Sequence, residues 1–180
     1  MTSYSPILVA AIAAASLVGC ASGNQVPASG DRVVATSTGG AIRTYDGPTS
    51  GQTIIEAPPP ATLAALSSAY SDLGIEVKLW NLQTGEVGNK NFTKMYRLAG
   101  KPLSDYVGCG TITTGQAADS YRVTMSLVSR VTPAAGGSRV ETQLTAYAED
   151  IGSSKGTLAC LTLGPLEGRL HDLAVRHLSD

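Results

Sequence analysis

The chain has 180 residues, which is enough for one domain with a buried core. Hydrophobic residues make up 43% of it and charged residues 15%, which excludes disorder over the whole length, because disorder requires low hydrophobicity and high net charge. The formal net charge is −1, and the chain has one Trp and one Phe. We therefore expect no nucleic-acid partner, since both a basic surface and a base-stacking platform are missing from the composition.

An apolar run occupies residues 7–18, with the sequence ILVAAIAAASLV. A helix of this length is too short to cross a bilayer, which takes about 20 residues. The length is that of the apolar region of a secretory signal peptide, about 7–15 residues. The run ends in Leu17, Val18, Gly19 and Cys20. The small Gly19 gives a peptidase access to the backbone, and the thiol of Cys20 is a good nucleophile toward a lipid donor.

This ending resembles the lipobox of bacterial lipoproteins. The resemblance implies that residues 1–19 are a signal peptide, that Cys20 receives a diacylglyceryl group, and that the new amino terminus is acylated, for example by palmitate. Three acyl chains hold a protein on a membrane far more firmly than one, which is marginal. Ala21 follows the cysteine. In this family Asp at that position is associated with retention at the inner membrane, so the resemblance implies the periplasmic face of the outer membrane.

Two alternatives to lipidation are a plain signal peptide with an incidental cysteine and a buried core helix. Residues 20–51 follow, rich in Ser, Gly, Thr and Pro, and this composition predicts a flexible tether. Residues 32–36 and 41–45 are β-like, and they could pair as a hairpin through Gly39 and Gly40. A linker remains the preferred interpretation up to about Gly40.

Residues 52–180 are predicted to form a single folded domain. A β-like segment at residues 53–56 ends at three prolines, and a helix with an apolar stripe follows, formed by Leu63, Leu66, Tyr70 and Leu73 and closed by Gly74. Strands are predicted at residues 76–82, 92–98, 121–131, 140–148 and 157–162. Turns are expected at residues 85–88 and 133–137, and a helical turn at residues 103–106.

The final helix begins at Pro165, which suits a first helical position, and Glu167 favours its N-terminal end. Its apolar stripe comprises Leu166, Leu170, Leu173, Ala174 and Leu178. Strand, helix, antiparallel strands and helix follow one another in that order. This order predicts an α+β domain in which two amphipathic helices pack on the dry face of an antiparallel sheet, in two layers. The same order of elements resembles helix-grip domains, including those of the lipoprotein subunit of the outer-membrane barrel assembly machine.

Two cysteines remain when Cys20 is set aside, namely Cys109 and Cys160. An exported protein meets an oxidising compartment, so we expect these two to form a disulfide. Closing a loop of about 50 residues would stabilise the fold by about 4 kcal/mol in the chain-entropy model. The alternative is a redox or metal pair, but the sequence has no C-x-x-C, and two distant thiols make a poor zinc site.

The only histidines, His171 and His177, are six residues apart on the final helix and are interpreted as surface residues beside its apolar stripe. No phosphate-binding loop, dinucleotide fingerprint or nucleophile motif occurs, so we expect no cofactor, no metal and no enzyme activity. The leading hypothesis is a lipid-anchored binding or scaffold module for another envelope component. One alternative is a carrier with an apolar cavity lined by Leu, Met and Tyr. The other is a hydrolase, which a catalytic triad around a histidine would support.

Overall fold

The structure, a computed structural model, describes residues 31–35, 41–45, 50–152 and 157–179, with side chains from residue 51 onward. Within these ranges the chain has an α+β fold, in which an antiparallel sheet carries two helices, as the sequence predicts. The signal peptide, Cys20 and Ala21 lie outside the described residues, so the signal peptide and the lipidated N-terminus stay predictions.

The helices are α1 (Pro59–Asp72) and α2 (Pro165–Ser179), and single 3-10 turns occur at Leu103–Asp105 and Ala117–Asp119. The first seven strands are β1 (Asp31–Ala35), β2 (Ala41–Tyr45), β3 (Ser50–Ile55), β4 (Leu79–Asn81), β5 (Glu86–Met95), β6 (Arg97–Leu98) and β7 (Lys101–Pro102). The remaining strands are β8 (Val107–Gly108), β9 (Thr111–Ile112), β10 (Gly115–Gln116), β11 (Arg122–Ala134), β12 (Gly137–Glu149) and β13 (Thr157–Thr162).

The two longest strands, β11 and β12, form the centre of the main sheet, whose order is β4-β5-β11-β12-β13-β8. One edge of β12 pairs with β11 over its whole length. Its other edge pairs with β3 at residues 138–143 and with β13 at residues 146–149, so these two strands lie end to end. β1 and β2 lie within the stretch predicted as a flexible tether and pair antiparallel there. The preferred linker interpretation is therefore wrong for Asp31–Ala35, and the alternative hairpin interpretation describes this stretch.

The two faces of the sheet differ as the alternation in the sequence predicts. On the inner face the cross-strand pairs Val131–Val140, Leu127–Leu144 and Val123–Ala148 are buried. On the outer face Arg122 and Arg130 are exposed and form ion pairs with carboxylates of the neighbouring strands. Both helices lie on the inner face, since α1 contacts β5 and β11 while α2 contacts β3 and β12.

Helix α1 has the predicted stripe, with Leu63, Leu66, Tyr70 and Leu73 all buried. Gly74 follows the helix with a φ of +69°, a conformation that costs a glycine little. The next amide, of Ile75, donates to the carbonyl oxygen of Tyr70 at 2.9 Å, and thereby closes the helix end in the manner of a Schellman motif.

The prediction for residues 85–98 is wrong in its boundaries. The turn lies at residues 82–85, and β5 begins at Glu86 instead of at residue 92. Gly88 belongs to the strand and not to a turn, and a Cβ there would collide with the carbonyl oxygen of Leu127. The glycine is therefore needed for close approach of β5 to β11, which a single sequence does not distinguish from a turn. The turn predicted at residues 133–137 is also wrong in its boundaries, because β11 runs through Pro133. Pro133 lies beyond Arg130, which is the last residue of β11 that pairs with β5.

Candidate functional site

A disulfide joins Cys109 to Cys160, as predicted, with 4.2 Å between the two Cα atoms. Cys109 directly follows β8, and Cys160 lies in β13, the strand that β8 pairs with. Cys109 is buried and Cys160 is half-buried. The bond therefore fastens the edge strand β8, and the loops on either side of it, to the main sheet.

A chain of buried hydroxyl groups crosses the sheet beneath the two helices. The hydroxyl of Tyr70, on α1, lies 3.1 Å from Ser129 Oγ, which lies 2.7 Å from Thr142 Oγ1. Thr142 Oγ1 in turn lies 2.8 Å from Nε2 of His171, on α2. Ser129 and Thr142 are opposite each other on β11 and β12, and neither has accessible surface. This chain, Tyr70–Ser129–Thr142–His171, is called the polar chain below.

The polar chain can be fully satisfied in one direction. If His171 donates from Nε2 to Thr142, the hydroxyls donate in sequence to Ser129 and to Tyr70, and the Tyr70 hydroxyl donates to the Leu127 carbonyl oxygen at 3.3 Å. Every donor then has an acceptor, and the last acceptor is a backbone oxygen. A satisfied polar network of this kind can lie in a core without the cost of an unpaired buried group.

Burial shifts the pKa values of the two titratable residues of the polar chain, Tyr70 and His171. It raises the pKa of Tyr70 well above its usual range, against the opposing effect of the Ser129 hydrogen bond, so the phenol stays protonated. It lowers the pKa of His171 below its usual value, against the opposing charge of Asp172. Both groups are therefore neutral at neutral pH, as their hydrogen-bonding roles require.

Glu167 lies one turn before His171 on α2 and is 1% exposed. Its Oε1 accepts a hydrogen bond from Thr162 Oγ1 at 2.6 Å, while Oε2 is buried without a partner among the described residues. Gly51 of β3 lies against this part of α2, and a Cβ at that position would come within 2.9 Å of the Cβ of Glu167 and 3.4 Å of His171 Cε1. Glycine at residue 51 thus allows α2 to approach β3 closely.

The interpretation of both histidines as surface residues is wrong for His171, which is 8% exposed and bonded to Thr142. It is confirmed for His177, which is exposed and lies 2.8 Å from Asp72 of α1. A hydroxyl 2.8 Å from an imidazole has the geometry of a nucleophile and its base. The Thr142 hydroxyl has no accessible surface, however, so a substrate would reach it only if α2 left the sheet.

A cleft of about 340 Å3 lies beside α2 and is lined by Lys101, Asp105, Tyr106, Pro165 and Arg169. Arg169 spans its base, where one guanidinium nitrogen, Nη1, donates to the Ala99 carbonyl oxygen at 3.1 Å and to the Tyr106 hydroxyl at 3.0 Å. This lining contains three charged residues and neither Leu nor Met. It gives no support to an apolar carrier, which requires Leu and Met at the walls of its cavity.

The cleft owes its shape to the hairpin β6–β7, which pairs Arg97 with Pro102 and Leu98 with Lys101. Ala99 and Gly100 form the turn with φ angles of +49° and +80°. Positive φ at both central residues is typical of the type I′ turns that close two-residue hairpins. Since Arg169 binds the Ala99 carbonyl oxygen, α2 holds the turn in place and with it Lys101, the next residue but one.

Sequence reasoning missed the polar chain and the cleft. A signal for the first was present, because Ser129 interrupts the apolar set of Val123, Met125, Leu127 and Val131 on the inner face of β11. Glu167 and His171 also follow Leu166 and Leu170 directly and so lie on the same side of α2. The cleft joins residues from distant parts of the chain, and the separation of Lys101 from Arg169 left no pattern to detect.

Among the described residues no group of three or more His, Cys, Asp or Glu side chains could hold a metal ion. In the same part of the chain, no helix has the length and apolar character needed to cross a membrane. Comparison of the chain with protein-family models, with curated proteins and with solved structures finds no match.

Proposed function

We propose that this protein is a lipid-anchored component of a bacterial cell envelope, attached through Cys20 to the periplasmic face of the outer membrane, and that its domain is a non-enzymatic binding or scaffold module. The motif ending in Cys20 directly after an apolar run supports the anchor. The observation that carries the proposal is the disulfide between Cys109 and Cys160. Structural disulfides persist in oxidising compartments, so this bond is consistent with export across the inner membrane.

The position of the disulfide supports a structural and not a redox role. Cys109 is 6% exposed and Cys160 is half-buried, so the attacking thiolate that a catalytic or regulatory disulfide needs has little access to either sulfur. The bond also closes a long loop, because 51 residues separate its ends, and it fixes the strand that leads into the cleft. The result is a rigid domain with an open, charged cleft, which is an arrangement suited to binding.

The histidine environments support a module without enzyme activity. Catalysis by a hydroxyl nucleophile needs a base and a substrate that both reach it. Thr142 Oγ1 lies 2.8 Å from His171 Nε2, but Thr142 is beneath α2 with no accessible surface. The exposed His177 has Asp72 beside it and no hydroxyl group within hydrogen-bonding distance among the described residues. We therefore assign both histidines to holding the helices in place.

Metabolic labelling with an alkyne analogue of palmitate tests the anchor. We expect wild-type protein to be labelled and to sediment with outer-membrane vesicles. The variant Cys20→Ser should be unlabelled and retained in the inner membrane or released in soluble form. The double variant Cys109→Ser, Cys160→Ser is the matched control, because it removes two thiols and the disulfide but leaves the acceptor of the lipid. Label on Cys20→Ser, or unlabelled soluble wild-type protein, would contradict the proposal.

A second measurement tests the binding role. A photo-crosslinking amino acid at Asp105, in the cleft, should give a discrete crosslinked species in intact cells, and the same group at Lys90, which is exposed on β5, should not. Crosslinks of equal yield at both positions would indicate random collision instead of specific binding. That result would contradict the proposed binding role.

A further inference from the structure

The cleft beside α2 contains a guanidinium group with its best anion-binding edge unused. The two N–H groups on Nη1 of Arg169 are committed to the Ala99 carbonyl and to the Tyr106 hydroxyl. The three remaining donors, on Nε and Nη2, have no partner in the described part of the protein. Nε–H and one N–H of Nη2 are parallel and form the fork that binds the two oxygens of a carboxylate.

The charges around this fork favour a monoanion. Arg169 is half-buried, yet no carboxylate lies within ion-pair distance of it among the described residues. Lys101 lines the same cleft as an exposed, unpaired cation, again within the described residues, and Asp105 is the single acidic residue of the lining. Two cations and one carboxylate leave a net charge of +1. A carboxylate neutralises this charge, whereas a phosphate, with a charge of about −1.5 to −2 at neutral pH, would leave an unpaired negative charge beside the half-buried Arg169, which costs desolvation free energy.

A further hydroxyl group lines the cleft, on the Nη1 side of Arg169. The Tyr106 hydroxyl accepts a hydrogen bond from Arg169, and its own proton has no acceptor among the described residues. Because Tyr106 is 1% exposed and its strand neighbours are tied by the disulfide, this hydroxyl has little freedom to move. A preorganised donor costs little entropy on binding.

We propose that the cleft binds a carboxylate group, through the Nε–Nη2 fork of Arg169 and the ammonium group of Lys101. The volume of about 340 Å3 is at the small end of ligand sites, so the ligand is a small carboxylic acid or a terminal carboxylate of a larger partner. This inference deepens the proposed binding role and rests on it only for its biological meaning. The site itself does not depend on lipidation.

Titration of the full-length 15N-labelled protein with acetate, in a non-ionic detergent and at constant ionic strength, tests the site. We expect saturable shifts of the Arg169 Nε–Hε resonance and of the Lys101 and Tyr106 amides. Acetamide, which has the same shape and no charge, should shift none of them. Inorganic phosphate should bind more weakly than acetate. Equal responses to acetate and acetamide, or tighter binding of phosphate, would overturn the proposal.

Variants sharpen the assignment. Arg169→Lys keeps the charge and removes the fork, so acetate binding should weaken by about tenfold, the loss of one charge-assisted hydrogen bond. Lys101→Gln should weaken it less, and Asp105→Asn should strengthen it, because a competing negative charge is removed. The matched control is Lys90→Gln, which removes an exposed lysine outside the cleft and should leave the affinity unchanged. Equal weakening by Lys90→Gln and Lys101→Gln would indicate general surface attraction and would overturn the site.

The lipid anchor and the carboxylate site can be contradicted independently of each other. Loss of the acetate response with normal palmitate labelling would remove the carboxylate site and leave the anchored module in place. An unlabelled, soluble protein with a normal acetate response would remove the anchor and leave the site.

Discussion

The two helices pack on the same face of the sheet but in different ways. Helix α1 buries a nearly continuous apolar stripe, and its buried polar side chains, Thr62 and Tyr70, carry only hydroxyl groups. Helix α2 buries Leu170 and also a carboxyl and an imidazole side chain, Glu167 and His171. A helical stripe of leucines is present in both. The sheet supplies a hydroxyl group to both helices, Ser129 to Tyr70 and Thr142 to His171, and beneath α2 it also supplies Gly51, which admits the helix closely.

This difference shows that the sheet residues facing a helix determine whether a polar side chain of that helix can be buried. His171 is tolerated in the core because Thr142 supplies its hydrogen bond, and Glu167 reaches the sheet because Gly51 leaves space for it. Burial of polar groups costs free energy unless each is paired. The α2 contact is therefore expected to be more sensitive to small chemical changes than the α1 contact, and the variants below test that expectation.

The largest effect is expected from leucines at equivalent depth in the two contacts. Leu66→Ala on α1 and Leu170→Ala on α2 should each lower the free energy of unfolding by about 2–5 kcal/mol, since both side chains have no exposed surface. Leu173→Ala is the control, because Leu173 is only half-buried and should cost less. Urea unfolding followed by circular dichroism measures all three. If Leu170→Ala cost less than Leu173→Ala, α2 would not be part of the core.

The next effect separates the two histidines. His171→Ala should lower the free energy of unfolding by about 1–3 kcal/mol, because it leaves the buried Thr142 hydroxyl without its partner. His177→Ala removes only the exposed contact with Asp72 and should cost less than about 1 kcal/mol. The same unfolding measurement applies. Equal costs for the two variants would mean that the polar chain contributes nothing to stability.

A smaller effect concerns the glycine under α2. Gly51→Ala should cost about 1–2 kcal/mol, because its Cβ would press on the Cβ of Glu167, which is attached rigidly to the helix. Gly168→Ala is the control and should act in the opposite direction. A Cβ at Gly168 would point into open space, and the residue lies within α2, where alanine is better than glycine by about 0.5–1 kcal/mol. Stabilisation by Gly51→Ala would show that the helix does not lie so close to β3.

The sequence was informative wherever a repeating pattern reports on one element. The stripe of α1, the alternation of Leu127 with its neighbours and the pairing of Cys109 with Cys160 all follow from spacing or from counting. It was uninformative where two elements must meet. The burial of His171 depends on Thr142, which is 29 residues away, and the cleft depends on the approach of Arg169 to a turn 70 residues before it. Local periodicity marks Ser129 as a polar residue on the inner face of β11, but it does not identify which side chain of another element is its partner.

The smallest effect is a dependence of stability on pH that arises from the α2 contact alone. Burial lowers the pKa of His171 in the folded protein below its value of about 6.5 in the unfolded chain. Between these two pKa values the unfolded chain binds more protons, so the free energy of unfolding falls as the pH falls below about 6.5. The groups around the imidazole are Asp172 and Glu167 on its own helix, with Thr142 and Tyr70 across the polar chain, and the charge of Asp172 opposes part of the decrease.

The measurement is the free energy of unfolding at pH 7 and at pH 5, for the wild type and for His171→Gln, whose amide can still bond to Thr142. Carboxylates that titrate in this range contribute equally to both proteins, so the difference between them isolates the imidazole. The wild type should lose more stability than the variant, by at most about 1.4 kcal/mol for each pH unit, the limit for a single proton. If the two proteins had the same pH profile, His171 would be protonated as readily in the fold as in water, and the contact beneath α2 would have to admit solvent.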